Sequence, residues 1–191
     1  MQSIKEIKLL LEQTEKEQWH ALFSQYRTDE RAGVQKLIDS YEKKLAKFYK
    51  EQERLEKMLE FERKYGDTFS CICGIDEAGR GPFAGPVVAG GLNDSKQVSP
   101  KRREELYDII MDQAVSVGVG MTSPGRIDEI NILQATYEAM KHAVADLDVV
   151  PDLLLNDAVT IPQIPIRQVG IIKGDGRSLS IAAASIIAKV T

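Results

Sequence analysis

The sequence contains little cysteine and histidine, with two residues of each among 191. Cys71 and Cys73 are separated by one residue, so they do not form a CxxC motif, and on a strand they would lie on the same face. We interpret them as small buried hydrophobic residues of a reduced compartment. His20 and His142 have no partners at metal-ligand spacing, and neither is assigned a role.

The sequence also lacks any apolar run long enough to span a bilayer. No signal peptide is visible, because residues 1–6 lead directly into a charged helical pattern. We therefore expect a soluble cytoplasmic protein without membrane contact. The net charge of −4 argues against tight sequence-independent nucleic-acid binding by this chain alone, but it does not exclude a phosphate-backbone substrate.

Two regions of different character follow one another. Residues 1–66 read as a helical N-terminal extension that carries 14 Lys and Arg against 13 Asp and Glu. Apolar residues of its last helix recur at steps of three and four, which predicts either a hairpin packed on itself or on its neighbour, or a substrate-gripping appendage. Trp19, Phe23 and Tyr26 are interpreted as core residues. The appendage hypothesis rests on basic residues that fall broadly on one side of the last helix, with glutamates interleaved: Lys43, Lys44, Lys47, Lys50, Arg54 and Lys57.

The break around residues 65–68 marks the boundary, and residues 70–191 read as a second, catalytic domain. Strands and helices alternate there, which predicts an α/β sheet covered by helices. Residues 182–185 are expected to let the last helix pack close to that sheet. The predicted strands are 71–76, 84–90, 114–120, 152–156 and 168–172, and the predicted helices are 100–113, 126–147 and one from about 178.

Three apolar runs of the second region end in carboxylates. The first ends in Asp76 and Glu77, the second in Asp157, and the third leads to Asp175. If the three strands lie side by side, these acids converge on one edge of the sheet. Four hard oxygen donors without His or Cys suit Mg²⁺ or Mn²⁺ and not zinc. The alternatives are a strand-end cap for Asp157 and a turn residue for Asp175.

A glycine-rich turn follows the first pair of acids directly. Gly79 and Gly81 allow a close backbone approach to a ligand, and Arg80 between them offers planar donors for phosphate or ribose. The segment GIDEAGRGP at residues 74–82 resembles the signature of type 2 ribonuclease H, the ribonuclease HII family. Further segments resemble that family in the same order, namely residues 92–96, 127–132, 172–175 and 180–191.

The resemblance implies a ribonuclease H-like mixed sheet flanked by helices and a metal-dependent endoribonuclease. It implies hydrolysis of the RNA strand of RNA–DNA hybrids and cleavage 5′ of ribonucleotides in duplex DNA, leaving 5′-phosphate and 3′-hydroxyl ends. It assigns two Mg²⁺ or Mn²⁺ ions to the four acids and ribose recognition to the turn 79–81. Phosphate contacts are assigned to Asn93, Ser95, Lys96 and Lys173. The helical extension and Arg80 favour HII over the sister family HIII, and a monomer is expected.

The sequence departs from the family pattern in two places. The segment 87–93 is shorter than in family members, which carry further residues that complete a strand and a turn. The sequence ends at Thr191, before the family's further helices and a ribose-stacking tyrosine. Two other hypotheses therefore stand beside the enzyme: a non-catalytic or weakly active nucleic-acid-binding remnant, and a helical interaction module joined to an inert domain.

Overall fold

The computed structural model describes residues 2–79 and 99–191, together with the backbone of residues 87–89. The predicted site residues Arg80, Gly81, Asn93, Ser95 and Lys96 lie outside the described residues. The chain divides into two compact units, Met1–Leu55 and Glu56–Thr191. In the described part of the chain, no helix combines the length and the apolar character needed to cross a bilayer.

The first unit is built from helices. Its elements are α1 (Ile4–Gln13), a short 3₁₀ turn (Lys16–Gln18), α2 (Trp19–Tyr26) and α3 (Ala32–Met58), the last of which includes the division between the units. A capping box starts α1, because the Ser3 hydroxyl accepts from the Glu6 amide while the Glu6 carboxylate accepts from the Ser3 amide.

The core of this unit confirms the interpretation of its aromatic residues. Trp19, Phe23 and Tyr26 are buried against the apolar stripe of α3. The indole of Trp19 donates from Nε1 to the carbonyls of Leu11 at 3.0 Å and Thr14 at 2.9 Å, so its one polar atom is satisfied inside the core. The buried members of the cluster are Ile7, Leu11, Trp19, Phe23, Tyr26, Val34, Ile38, Tyr41 and Leu45.

The second unit holds the strands in two hydrogen-bonded sheets. Among the described residues, one sheet has the order β1-β5-β6 with parallel neighbours, and the other has the order β2-β3-β4 with antiparallel neighbours. The strands are β1 (Ile72–Ile75), β2 (Glu77–Ala78), β3 (Val87–Ala89), β4 (Gly120–Thr122), β5 (Leu153–Asp157) and β6 (Arg167–Ile171). The helices are α4 (Glu60–Gly66), α5 (Pro100–Gln113), α6 (Pro124–Ala145) and α7 (Leu179–Val190).

The parallel sheet is covered on both faces, which explains why β5 is a continuous apolar run. Leu154 packs in a cluster with Met140 and Ala143 of α6. Its neighbours Leu153 and Leu155 point to the other face, in a cluster with Ile181 of α7. The aromatic residues Phe61, Tyr65 and Phe69 pack against that second cluster. The predicted α/β architecture is therefore confirmed.

The strand predicted at residues 114–120 is wrong, because β4 begins only at Gly120. Val115 is 82% exposed, so the alternation of valines with small residues does not reflect a paired strand. A Cβ at Gly120 would lie 1.9 Å from the carbonyl oxygen of Ala139, and one at Gly118 would lie 2.1 Å from that of Ala143. These glycines therefore serve the close approach of α6, a tertiary contact that the sequence pattern does not reveal.

The prediction for α6 missed an interruption at Asn131, whose φ of 68° and ψ of 163° are not helical. The Asn131 side chain Oδ1 accepts from the amides of Leu133 at 3.0 Å and Gln134 at 3.2 Å. It therefore caps the helical segment that follows, as Asn commonly does at a helix start.

Candidate functional site

The three apolar runs that end in acids lie side by side in the parallel sheet. Ile75 of β1 is paired with Asn156 of β5, so Asp76 and Asp157 each follow a paired residue at the carboxyl ends of neighbouring strands. Asp157 is paired in turn with Ile171, the last residue of β6. Asp175 follows in the 3₁₀ turn Gly174–Gly176. The topology thus brings the three strand ends to one edge, where open parallel sheets bind ligands.

Asp76 is the most constrained of these acids. It is 4% exposed, and its Oδ1 accepts from the amide of Glu77 at 2.8 Å. The pKa of Asp76 is raised to about 6, mainly by burial and to a smaller extent by the neighbouring Glu77 charge. Hydrogen bonds from the Ser185 hydroxyl and the Glu77 amide, and the charge of Lys189, oppose that rise. A carboxyl group with this environment is a typical functional-site residue.

Two residues of α7, Ser185 and Lys189, lie close to the carboxylate of Asp76. Lys189 Nζ donates to Ser185 Oγ at 2.6 Å and lies 4.0 Å from Asp76 Oδ2. Ser185 is fully buried. The sequence pattern indicates only a packing role for Ser185 and no role for Lys189. The signal that could have indicated this polar contact is a Ser and a Lys four residues apart on an otherwise apolar helix, since that spacing places them on one face.

The close packing expected for α7 is present. A Cβ at Gly74 of β1 would lie 2.0 Å from the backbone carbon and oxygen of Ser180. Ala182 is fully buried and Ala184 is 2% exposed. Small residues on both elements therefore let α7 approach the strand that leads to Asp76.

Asp157 is held by the turn that carries Asp175. Its Oδ1 accepts from the amide of Gly174 at 2.7 Å. Lys173 precedes this turn in the left-handed region, with φ of 56°, and is exposed. Asp175 itself is 7% exposed. The second acidic strand end is thereby connected to the third by a direct hydrogen bond.

Glu77 and Gly79 lie just beyond Asp76. Glu77 is half-buried at the start of β2. Gly79 is exposed and has a φ of 86°, a conformation in which a side chain is strained, so glycine is required there. Across residues 2–79 and 99–191, no three His, Cys, Asp or Glu side chains are arranged so that they could hold a metal ion together. The structure aligns the strand ends without assembling the predicted acids into such a group.

Comparisons with known proteins agree with this architecture. Residues 3–66 match the model of the ribonuclease HII N-terminal domain, and residues 73–191 match the ribonuclease HII model. The chain is 30% identical to the solved ribonuclease H2 of Pyrococcus horikoshii OT3, with a TM-score of 0.55, over 62% of this chain and 70% of that one.

Two curated relatives cover most of the chain. The ribonuclease HII of Lachnoclostridium phytofermentans is 58% identical over 87% of this chain and 69% of its own. That of Clostridioides difficile is 48% identical over 99% of this chain and 79% of its own. The latter alignment spans 201 positions against 191 residues here, so at least ten of its positions have no residue in this chain. The chain belongs to the ribonuclease HII family, whose members are endonucleolytic hydrolases.

Proposed function

We propose that this chain is a metal-dependent endoribonuclease that hydrolyses the RNA strand of RNA–DNA hybrids and cuts 5′ of ribonucleotides embedded in duplex DNA. The products would carry 5′-phosphate and 3′-hydroxyl ends. The observation that supports this most directly is the buried carboxylate of Asp76 at a strand end, next to the strand end that carries Asp157. Membership of the ribonuclease HII family supports the reaction class.

The metal ligands in this proposal are Asp76, Glu77, Asp157 and Asp175. Their donor chemistry fits Mg²⁺ or Mn²⁺, because every donor is a hard carboxylate oxygen. Two divalent ions bound there would supply an activated water and stabilisation of the leaving 3′ oxygen. Burial is the main cause of the raised pKa of Asp76, and a divalent cation bound beside this carboxylate would lower that pKa.

The residues of the chain orient this site. Ser185 and the Glu77 amide fix the carboxylate of Asp76 from two sides. The amide of Gly174 fixes Asp157. These contacts hold the acids in place before substrate arrives, which lowers the reorganisation needed during the reaction.

Substrate contacts in this proposal come from the residues after the acids. The turn Gly79, Arg80 and Gly81 would bring backbone groups and a guanidinium to the ribose 2′-hydroxyl, the group that distinguishes RNA from DNA. Asn93, Ser95 and Lys96 would contact phosphates, with Lys173 as a further cation. The positive φ of Gly79 and the exposure of Lys173 agree with these roles.

The test is cleavage of three matched duplexes, containing one ribonucleotide, four ribonucleotides or a continuous RNA strand, with Mg²⁺ or Mn²⁺. Cleavage that depends on the metal and leaves 3′-hydroxyl ends supports the proposal. A D76N variant tests the site, and D108N, which changes an exposed acid of α5, is its matched control. Folded protein that cuts none of the three contradicts it.

A second candidate is a weakly active or non-catalytic nucleic-acid-binding remnant. The observation that favours it is the set of at least ten aligned positions without a residue in this chain. Binding of the same duplexes with no cleavage above the D76N variant would support this candidate instead.

A further inference from the structure

Glu62 of α4 contacts the first turn of α7. Its Oε1 accepts from the hydroxyl of Ser178 at 2.6 Å and from the amide of Ser180 at 2.8 Å. The Ser178 hydroxyl in turn accepts from the amide of Ile181 at 3.2 Å, and Ser178 is fully buried. The two bonds to Glu62 join residues that are more than a hundred positions apart in the sequence.

This contact supplies what the start of a helix requires. The first amides of a helix have no partner within it, and Ser178 caps α7 in the usual manner for serine. Glu62 adds a second acceptor and a negative charge at the positive end of the helix dipole. The start of α7 is therefore held by a carboxylate from another helix as well as by its own cap.

The same helix carries the groups that hold Asp76. Ser185 follows Ser178 by seven residues, a distance of about 10 Å along the helix axis. Ser185 donates to Asp76, and Lys189 donates to Ser185. Because α7 lies directly against Gly74 of β1, a small shift or rotation of this helix displaces Ser185 relative to Asp76.

We propose that Glu62 is a positioning residue for the reaction, acting through α7 and Ser185 on the carboxylate of Asp76. The inference rests on the proposed function, in which Asp76 takes part in hydrolysis. Glu62 lies in the sequence range that matches the N-terminal family model, yet it belongs to the structural unit Glu56–Thr191. The part of the helical extension that belongs to this second unit would thus contribute to the chemical step.

The experiment compares the full chain with E62A, E62Q and the control E60A, an exposed glutamate of the same helix. We expect E62A to lower kcat about tenfold and to change KM less than twofold, since displaced reacting groups slow the chemical step. E62Q retains an oxygen that can accept both bonds, so its kcat stays within about threefold of the parent. A role confined to folding would change the melting temperature without this division between kcat and KM.

A second measurement does not depend on cleavage. The dissociation constant for Mn²⁺, measured by the paramagnetic resonance of free Mn²⁺, should rise about fivefold in E62A and remain unchanged in E60A. An S178A variant removes the hydroxyl between Glu62 and Ile181, so E62A and S178A should be non-additive when combined.

The outcomes separate the two proposals. Parental kcat and Mn²⁺ affinity in E62A would overturn the role of Glu62 while leaving the proposed function standing. A parent that binds Mn²⁺ but cuts no duplex would overturn the proposed function and, with it, a role of Glu62 in the reaction. If E62A does not fold, E62D replaces it, because its carboxylate is one methylene shorter; parental values in E62D overturn the proposal, and reduced kcat supports it.

Discussion

The two structural units bury different kinds of side chain. In the first unit, the described buried residues are aliphatic and aromatic, and charged pairs such as Arg27 with Asp39 remain on the surface. In the second unit, Asp76, Asp175, Asn156 and Ser185 are buried. Burying a carboxylate is costly unless it is paired or binds a cation, so the second unit carries a cost in stability that the first unit does not, at residues that the proposed function uses.

The two units also differ in how their buried polar groups are hydrogen-bonded. The first unit satisfies its buried indole through two backbone carbonyls. The second unit supports single acids with groups from other elements: side chains of α7 for Asp76, and the backbone amide of Gly174, in the turn after β6, for Asp157. Stability in the first unit is therefore expected to follow packing, and activity in the second to follow the placement of a few polar atoms.

The largest effect on activity is expected for the D76N variant. We expect cleavage to fall by about a thousandfold or more, as when one member of a catalytic group is removed, while the fold is retained. Single-turnover cleavage of the one-ribonucleotide duplex measures the loss, with D108N as the control. Parental cleavage by D76N would remove Asp76 from the site.

A large effect on stability is expected at the contact of β1 with α7. G74A places a methyl group against the Ser180 backbone, and we expect a loss of about 3 kcal/mol or more, the upper part of the range for overpacking. The matched control is G125A in α6, where a Cβ meets nothing within 4 Å. There the free energy of unfolding should stay level or rise by about 0.5 kcal/mol. Urea denaturation of both variants measures the difference, and equal stabilities would contradict the close packing.

The difference in stability between D76N and the parent should depend on pH, and this dependence measures the cost of burying the Asp76 carboxylate. The pKa of Asp76 is about 6 in the folded state against an ordinary value of 3.8 for an Asp side chain, which applies in the unfolded state, so the folded state binds this proton more tightly. The resulting stability is fully present below pH 3.8 and is lost as the pH rises through 6. In buffer with EDTA, D76N should therefore be more stable than the parent at pH 7.5, by up to about 3 kcal/mol, and should show little gain at pH 4. A gain that does not change with pH would contradict the account.

The sequence predicts the alignment of the strand ends because each acid lies at or just beyond the end of an apolar run, and such runs form parallel strands that share an edge. It could not predict the support of Asp76 by Ser185 and Lys189, since these lie more than a hundred residues further along the chain. The failed strand at 114–120 has the same cause. Its valines alternate locally, but Gly118 and Gly120 are placed by contact with α6.

The start of the catalytic part along the chain is also set by tertiary contacts. The sequence predicts this boundary after residue 66, and a deletion at that point would remove Phe61, Glu62 and Tyr65 together with the extension. In the structure Phe61 and Tyr65 pack on the core of the second unit, and the compact unit begins at Glu56. A deletion of residues 1–66 is therefore expected to destabilise the remaining chain more than a deletion of residues 1–55, which thermal unfolding of the two truncated proteins would measure.

The proposed chemistry belongs to the second unit. The measurement that tests this most directly is the kcat of residues 56–191 alone, on the continuous hybrid at saturating substrate. We predict a kcat within about threefold of the full chain, because all four proposed metal ligands and Glu62 are retained, together with a raised KM and a weaker dependence of binding on salt as basic residues are lost. A folded 56–191 protein that binds the hybrid but does not cleave it would contradict the claim.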